Sequence, residues 1–252
     1  TGDQLAEAHR HEILFEKLED RKNTSPIFFA QSKNGKYGLV SREQPFSREN
    51  RASVFVEISK FPGQIIQTFT LSLPFDADDV EILDVTINDR GKVYFGAKTG
   101  VKLNSPFLRK YLVYSFDSST KKLREFDLGR DKIYLQDLLI NTFKDDVQMA
   151  ALFTSDPFQQ HESSGYAFAS IDSLGKLSAE KGVNYFDPAT VAAFKSEDNA
   201  TSNTIENVFL DELFNVNGSN LLVMDQHYRD QVCTTDPRTG MISCTDQFHF
   251  DG

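Results

Sequence analysis

The chain contains no tryptophan, two cysteines and three methionines in 252 residues. Two cysteines are too few for a zinc cage or for the disulfide framework that holds small secreted domains together. No stretch approaches the roughly 20 apolar residues that a helix needs to cross a bilayer. Basic residues are in deficit: 27 Lys and Arg against 37 Asp and Glu leave a formal net charge of −10. An acidic surface repels phosphate backbones and anionic lipid headgroups, which argues against nucleic acid or a membrane surface as partner. Locally readable catalytic signatures are missing too. There is no Gly-x-Ser-x-Gly elbow, no His-Glu-x-x-His and no phosphate-binding Gly-x-x-x-x-Gly-Lys-Ser/Thr. No cofactor is expected.

What is abundant is Phe and Tyr, 22 and 8 residues. Both pack well on a pleated, half-buried surface and favour strands. The expectation is an all-β chain, and one pattern recurs along it: strand, polar turn, strand, longer link, second hairpin. The first hairpins are Pro26–Ser32 with Tyr37–Ser41, Val80–Ile87 with Lys92–Ala97, Leu135–Phe143 with Val147–Phe153, and Val208–Phe214 with Asn220–Met224. Asn34-Gly35 and Asn88-Asp-Arg-Gly91 are strong turn signals, because glycine accepts positive φ without penalty. Successive turns of the first three units lie about 55 residues apart, and an insertion delays the fourth. Within that insertion, Asp187-Pro188 reads as the N-cap and first position of a short helix running to Lys195, followed by a polar loop over 196–203.

Four strands per unit is the blade signature of a propeller. The expected architecture is a propeller-like array of about four four-stranded antiparallel blades, with a partial propeller as one form and a β-sandwich as the alternative. The units are 24–76, 77–130, 131–186 and 204–252, with the insertion at 187–203. Residues 1–23 form a separate N-terminal helix or outer strand, and both ends of the chain read as cuts through a longer protein.

The turn phrases Asn34-Gly-Lys-Tyr37, Asp89-Arg-Gly-Lys-Val93 and Asp172-Ser-Leu-Gly-Lys176 resemble those joining blade strands in bacterial cell-envelope proteins with propeller-like repeats. The resemblance runs from about Pro26 onwards. It implies an extracytoplasmic location: periplasm, cell surface or secretion. Such turn residues are structural, so the resemblance carries over no functional residue. The chain departs from named propeller families: it has no Trp-Asp signature, no Kelch double glycine and no sialidase Asp-box.

Three aspartates, Asp84, Asp137 and Asp211, hold similar places in successive first hairpins. In a propeller, equivalent positions converge on the central channel, so they are candidates for an acidic binding ring. The competing reading is that they hold strand ends or neighbouring backbone. Cys233 and Cys244 flank the turn signal Pro237–Gly240. A four-residue loop there sets Asp236 opposite Met241 and Cys233 opposite Cys244, within disulfide reach. Asp76-Ala-Asp-Asp79 and Asp145-Asp146 lack calcium-loop spacing, and the histidines at 9, 11, 161, 227 and 249 lie without metal-ligand partners in sequence. Asn23, Asn199 and Asn217 begin glycosylation sequons in turns or loops. These observations point to a non-catalytic module that binds protein or glycan, or scaffolds the remainder of its own chain. The alternative is a glycan hydrolase or lyase using channel-facing carboxylates.

Overall fold

The computed structural model describes residues 26–43, 51–61, 63–102, 107–117, 122–129, 132–143, 145–159, 161–178, 182–194, 203–217, 219–235 and 242–251. The expected N-terminal segment, the loop at 196–202 and the sequons at Asn23 and Asn199 lie outside the described residues. The chain is all-β and divides into two compact units. One holds residues 1–126 and 142–146, the other residues 127–141 and 147–252.

The first unit contains two four-stranded antiparallel sheets. The first sheet runs in order β1 (Ile27–Gln31), β2 (Tyr37–Glu43), β3 (Arg51–Lys60) and β4 (Gln64–Asp76). The second runs in order β5 (Val80–Ile87), β6 (Val93–Thr99), β7 (Lys110–Asp117) and β8 (Lys122–Asp127). Alternation decides which face is buried. In β3, Ala52, Val54, Val56 and Ile58 point inward and are buried, while their neighbours are only half-buried. These residues, with Leu39, Leu71 and Leu73, form one core with Ile82, Val85, Ile87, Val93, Phe95 and Leu112 of the second sheet. Phe95 stacks on Tyr114 with ring centroids 5.3 Å apart.

Turn chemistry fixes the hairpin registers. Asn88 Oδ1 accepts hydrogen bonds from the Arg90 and Lys92 amides at 3.0 and 2.9 Å, and Gly91 takes φ +80°. Asp172 repeats this, accepting from the Lys176 amide at 2.8 Å, with Gly175 at φ +79°. The first-hairpin turns are also tied to one another in a regular step. The Asn34 amide donates to Asp89 Oδ1 at 2.9 Å, and Arg90 Nη2 pairs with Asp145 Oδ2 at 2.6 Å, each across 55 residues. The 55-residue spacing read from the sequence is thus a physical contact step.

The second unit holds a five-stranded sheet in the order β9 (Tyr134–Phe143), β10 (Asp146–Thr154), β12 (Gly165–Ile171), β13 (Leu177–Ser178), with β14 (Val183–Tyr185) also pairing β12. A small two-stranded sheet joins β11 (Glu162–Ser163) to β15 (Ile205–Glu206). The last sheet runs β16 (Val208–Val216), β17 (Ser219–Thr235), β18 (Ile242–Asp251). Helix α1 spans Pro188–Phe194. Asp187 caps it: Oδ1 accepts from the Ala189 and Thr190 amides, both at 2.9 Å, and Oδ2 from Thr190 Oγ1 at 2.7 Å. The Thr190 amide leads the contacts that hold the Asp187 carboxyl below its ordinary range. Val191 of this helix joins Leu152, Phe186, Ile205 and Val208 in a core cluster.

Two features differ from the repeat pattern. The last sheet has three strands rather than four, because β17 serves both of its hairpins. Nothing in Asp225–Gln231 is glycine or proline, so no turn interrupts the strand. And β1, the first strand of its unit, alternates between exposed and half-buried positions, whereas the equivalent β5 and β9 bury residues toward their C-terminal ends, among them Ile87 and Ile140.

Candidate functional site

The seams between sheets are the places where polar side chains work hardest. At the end of β2, Glu43 Oε1 accepts the Ile82 amide at 2.6 Å. At the second sheet, a bulge between Ile82 and Asp84 turns Asp84 so that its Oδ1 accepts the Val85 amide at 2.7 Å. Asp137 does both jobs: Oδ1 accepts the Leu138 amide at 2.8 Å, and Oδ2 the Leu210 amide of β16 at 3.1 Å. Asp211 is the bulged residue between Leu210 and Glu212 and is exposed. Asp84 and Asp137 each accept the amide of the residue that follows, whereas Asp211 is the bulged residue of its strand, a place that Leu83 holds in β5. Asp84 sits in the first unit, and Asp137 and Asp211 in the second. Asp137 reaches the backbone beside Asp211, through the Leu210 amide. Among the described residues, no group of three or more His, Cys, Asp or Glu side chains stands close enough to hold a metal ion.

Glu43 has a second property. Burial raises its carboxyl above the ordinary value, the Ile82 amide partly offsets this, and the Glu81 charge adds to the rise. It lines a small cavity of about 30 Å³ with Ala52, Leu73, Val80 and Ile82. A raised folded pKa favours the protonated fold. The contribution is present below the unfolded pKa and is lost as pH rises through the folded value. Glu43→Gln keeps an acceptor oxygen and removes that titration. It is expected to flatten the dependence of stability on pH across the acidic range, while Glu43→Ala lowers stability at every pH by stranding the Ile82 amide. Urea unfolding across acidic to neutral pH checks both.

An apolar cleft of about 70 Å³ lies on the five-stranded sheet. Its floor is Met149 and Ala151 of β10 paired with Ala169 and Ala167 of β12. Short side chains on adjacent paired strands leave the space. Leu135 and Leu138 of β9 and the link residues Leu128 and Ile133 close its sides. At its mouth, Asp127 Oδ1 accepts the Gly129 amide at 2.8 Å. Sequence reading missed this cleft. The signal for it was the alternation of alanines over 151–169, legible only once the two strands were known to pair.

Tyr94 is nearly fully buried beside Lys92, whose ammonium lies 5.0 Å from the ring centroid. Burial pushes the Tyr94 hydroxyl up from 10.0 to about 12, with the carboxylates of Asp145, Asp146 and Asp117 adding to the rise and Arg90 opposing it. The folded pKa is raised, so the stabilising contribution is complete below the unfolded pKa and is lost as pH climbs through the folded one. Unfolding midpoints are expected to fall steeply above pH 10, and Tyr94→Phe to remove part of that fall.

The remaining sequence candidates are ordinary. Asp78 pairs with Lys102 Nζ at 2.6 Å, and Asp79 Oδ1 accepts the Lys102 amide at 3.1 Å, so this cluster ties a turn. His161 is exposed and holds the Asn207 amide through its carbonyl at 2.9 Å. Asn217 of the third sequon is exposed at positive φ in the β16–β17 turn. Cys233 stands directly opposite Cys244 between β17 and β18, the register expected from the turn. The Asp236–Met241 pair lies outside the described residues. No family model matches the chain, and none of the curated proteins searched does.

Proposed function

We propose that this chain is a non-catalytic, extracytoplasmic β-repeat module for protein or glycan binding or for scaffolding, its sheets serving as propeller-like blades. The observation that carries the reading is Asp137. Both of its carboxylate oxygens accept backbone amides, one within its own strand and one in the next sheet. A carboxylate held in this way is a tie between sheets. A glycosidase acid instead needs a free oxygen aimed at the bond to be cut. The alanine-floored cleft, apolar and lined in part by Asp127, offers a recess for a ligand. Calorimetric titration with a panel of neutral and acidic oligosaccharides, with product analysis by mass spectrometry, tests the reading. Binding without new reducing ends supports it; accumulation of cleaved products overturns it.

The extracytoplasmic part of the reading rests on the envelope-type turn phrases and on the paired cysteines. Cys233 and Cys244 face each other across antiparallel strands. Opposed positions lie at the Cβ separations that a disulfide spans, and an oxidising compartment closes such pairs. Alkylation of unreduced, denatured protein followed by mass measurement is expected to add no label. Two labels on material exported from its native host would remove this support.

A further inference from the structure

We infer that the alanine-floored cleft seats one branched aliphatic side chain of a partner protein, with a lysine or arginine of the same segment against Asp127. The inference rests on the reading of this chain as a binding module and names the ligand class for that recess. All the residues that line the cleft belong to the second unit, so the site is complete within it. Strand pairing makes the space. Met149 stands opposite Ala169 and Ala151 opposite Ala167, which gives one sheet face a floor of three methyl groups and a thioether. Met149, Ala151 and Ala167 are buried, so the floor lies below the surface rather than on it. A larger side chain at 151 or 167 would close the space to ordinary packing density; alanine leaves it open.

The lining decides the ligand. Among the described residues, Asp127 is the one charged residue that lines the cleft, and no other side chain there carries a polar group that could pair with a hydroxyl. A sugar hydroxyl brought onto this floor would lose its water and find no partner, which is a net cost. Phe168 gives the floor no ring for a sugar to stack on, because it alternates to the opposite face of β12 from Ala167 and Ala169. An aliphatic group, by contrast, gains by leaving water. The volume of about 70 Å³ is roughly half of the ~150 Å³ apolar cavity that takes a benzene ring, so it suits about three or four carbons, the size of a valine or leucine side chain. Charge sets the neighbour of that side chain. Asp127 is exposed, its Oδ1 is held by the Gly129 amide at 2.8 Å, and its Oδ2 accepts no hydrogen bond among the described residues. Arg124 and Lys132 are exposed too, but neither lines the cleft, and Arg124 precedes Asp127 by three residues on β8, which puts it on the other face of that strand. A cation at the mouth therefore meets the carboxylate.

The test is a titration of the full chain, carbon-labelled at its methionine and alanine methyls and followed by NMR. The probes are the capped dipeptides acetyl-Leu-Lys-amide, acetyl-Leu-Glu-amide and acetyl-Ser-Lys-amide, the free amine 3-methylbutylamine, and an oligosaccharide. The Met149, Ala151 and Ala167 methyl signals are expected to shift saturably with the Leu-Lys probe and not with the Ser-Lys probe. The Leu-Glu probe is expected to bind about 1.5- to 5-fold more weakly, the effect of one exposed ion pair. Asp127→Asn keeps an acceptor for the Gly129 amide and is expected to fold normally and to make the two leucine probes bind alike. Ala167→Leu fills the floor and is expected to abolish binding of both. The absence of saturable shifts with the Leu-Lys probe overturns the inference, as does a Leu-Glu probe that binds the wild type equally well, or binding that survives in a folded Ala167→Leu. If 3-methylbutylamine binds more tightly than the dipeptide, the cleft belongs to a small amine and the partner protein is overturned. An oligosaccharide that shifts the same methyls overturns the ligand class and leaves the module reading standing. Glycan cleavage overturns the module reading whatever the leucine probes do.

Discussion

Truncating Phe95 to alanine is expected to destabilise the first unit by about 3–5 kcal/mol, the range for a fully buried phenylalanine. Phe95 has no exposed surface and lies in β6, between β5 and β7. Val85 is its partner on one side and Tyr114 on the other. It stacks on the Tyr114 ring and packs in the core that joins both sheets of the unit. The Tyr114 hydroxyl is itself held, donating to Glu125 Oε2 at 2.6 Å, and burial raises it above its ordinary range. A held ring cannot swing into the space that Phe95 leaves, so the cavity stays open and the loss falls toward the upper end. Urea unfolding reads this as a lower midpoint at unchanged slope. A change below about 1 kcal/mol would show that the core collapses around the site and that this interface is less tightly packed than described.

The second large effect is expected at Gly165. It pairs with Phe153 on one side and with Tyr185 on the other, and lies where β14 crosses onto β12. A Cβ there would press into the Asn184 carbonyl and the Tyr185 Cα, both backbone atoms with nowhere to go. Gly165→Val is expected to lose β14 from the sheet and to cost at least the upper part of the about 1–3 kcal/mol typical of overpacking. Hydrogen exchange is the direct readout: amides of Val183–Tyr185 lose protection, while those of β9 and β10 keep theirs. Uniform protection in the variant would mean that β14 can shift without cost.

What could be read in advance, and what could not, follows from the range of the forces involved. The turns at Asn34-Gly35 and Asn88–Gly91 were legible because a glycine at positive φ and an Asn oxygen reaching two residues on are local. The helix at Pro188 was legible for the same reason: its cap lies within three residues. The opposition of Cys233 and Cys244 needed only a loop length. The unbroken β17 was misread as two strands because the hairpin count was carried over from earlier repeats, although no turn residue supports a break there. The alanine-floored cleft was out of reach. It depends on which strands pair, as the place of Asp211 depends on a one-residue bulge, and neither leaves a clear trace in sequence. The three aspartates were found by their repeat position; of these, Asp137 takes hold of the backbone of the next sheet, Asp84 takes the next amide of its own strand, and Asp211 is an exposed bulge residue.

The most direct test is Asp137→Ala, followed by unfolding and oligosaccharide turnover in parallel. If Asp137 is a tie, its loss strands the Leu210 amide, and the second unit loses about 1–3 kcal/mol, while neither protein cleaves any glycan. A variant that unfolds like the wild type but loses a glycan-cleaving activity that the wild type possesses would contradict this. It would place Asp137 in a catalytic site.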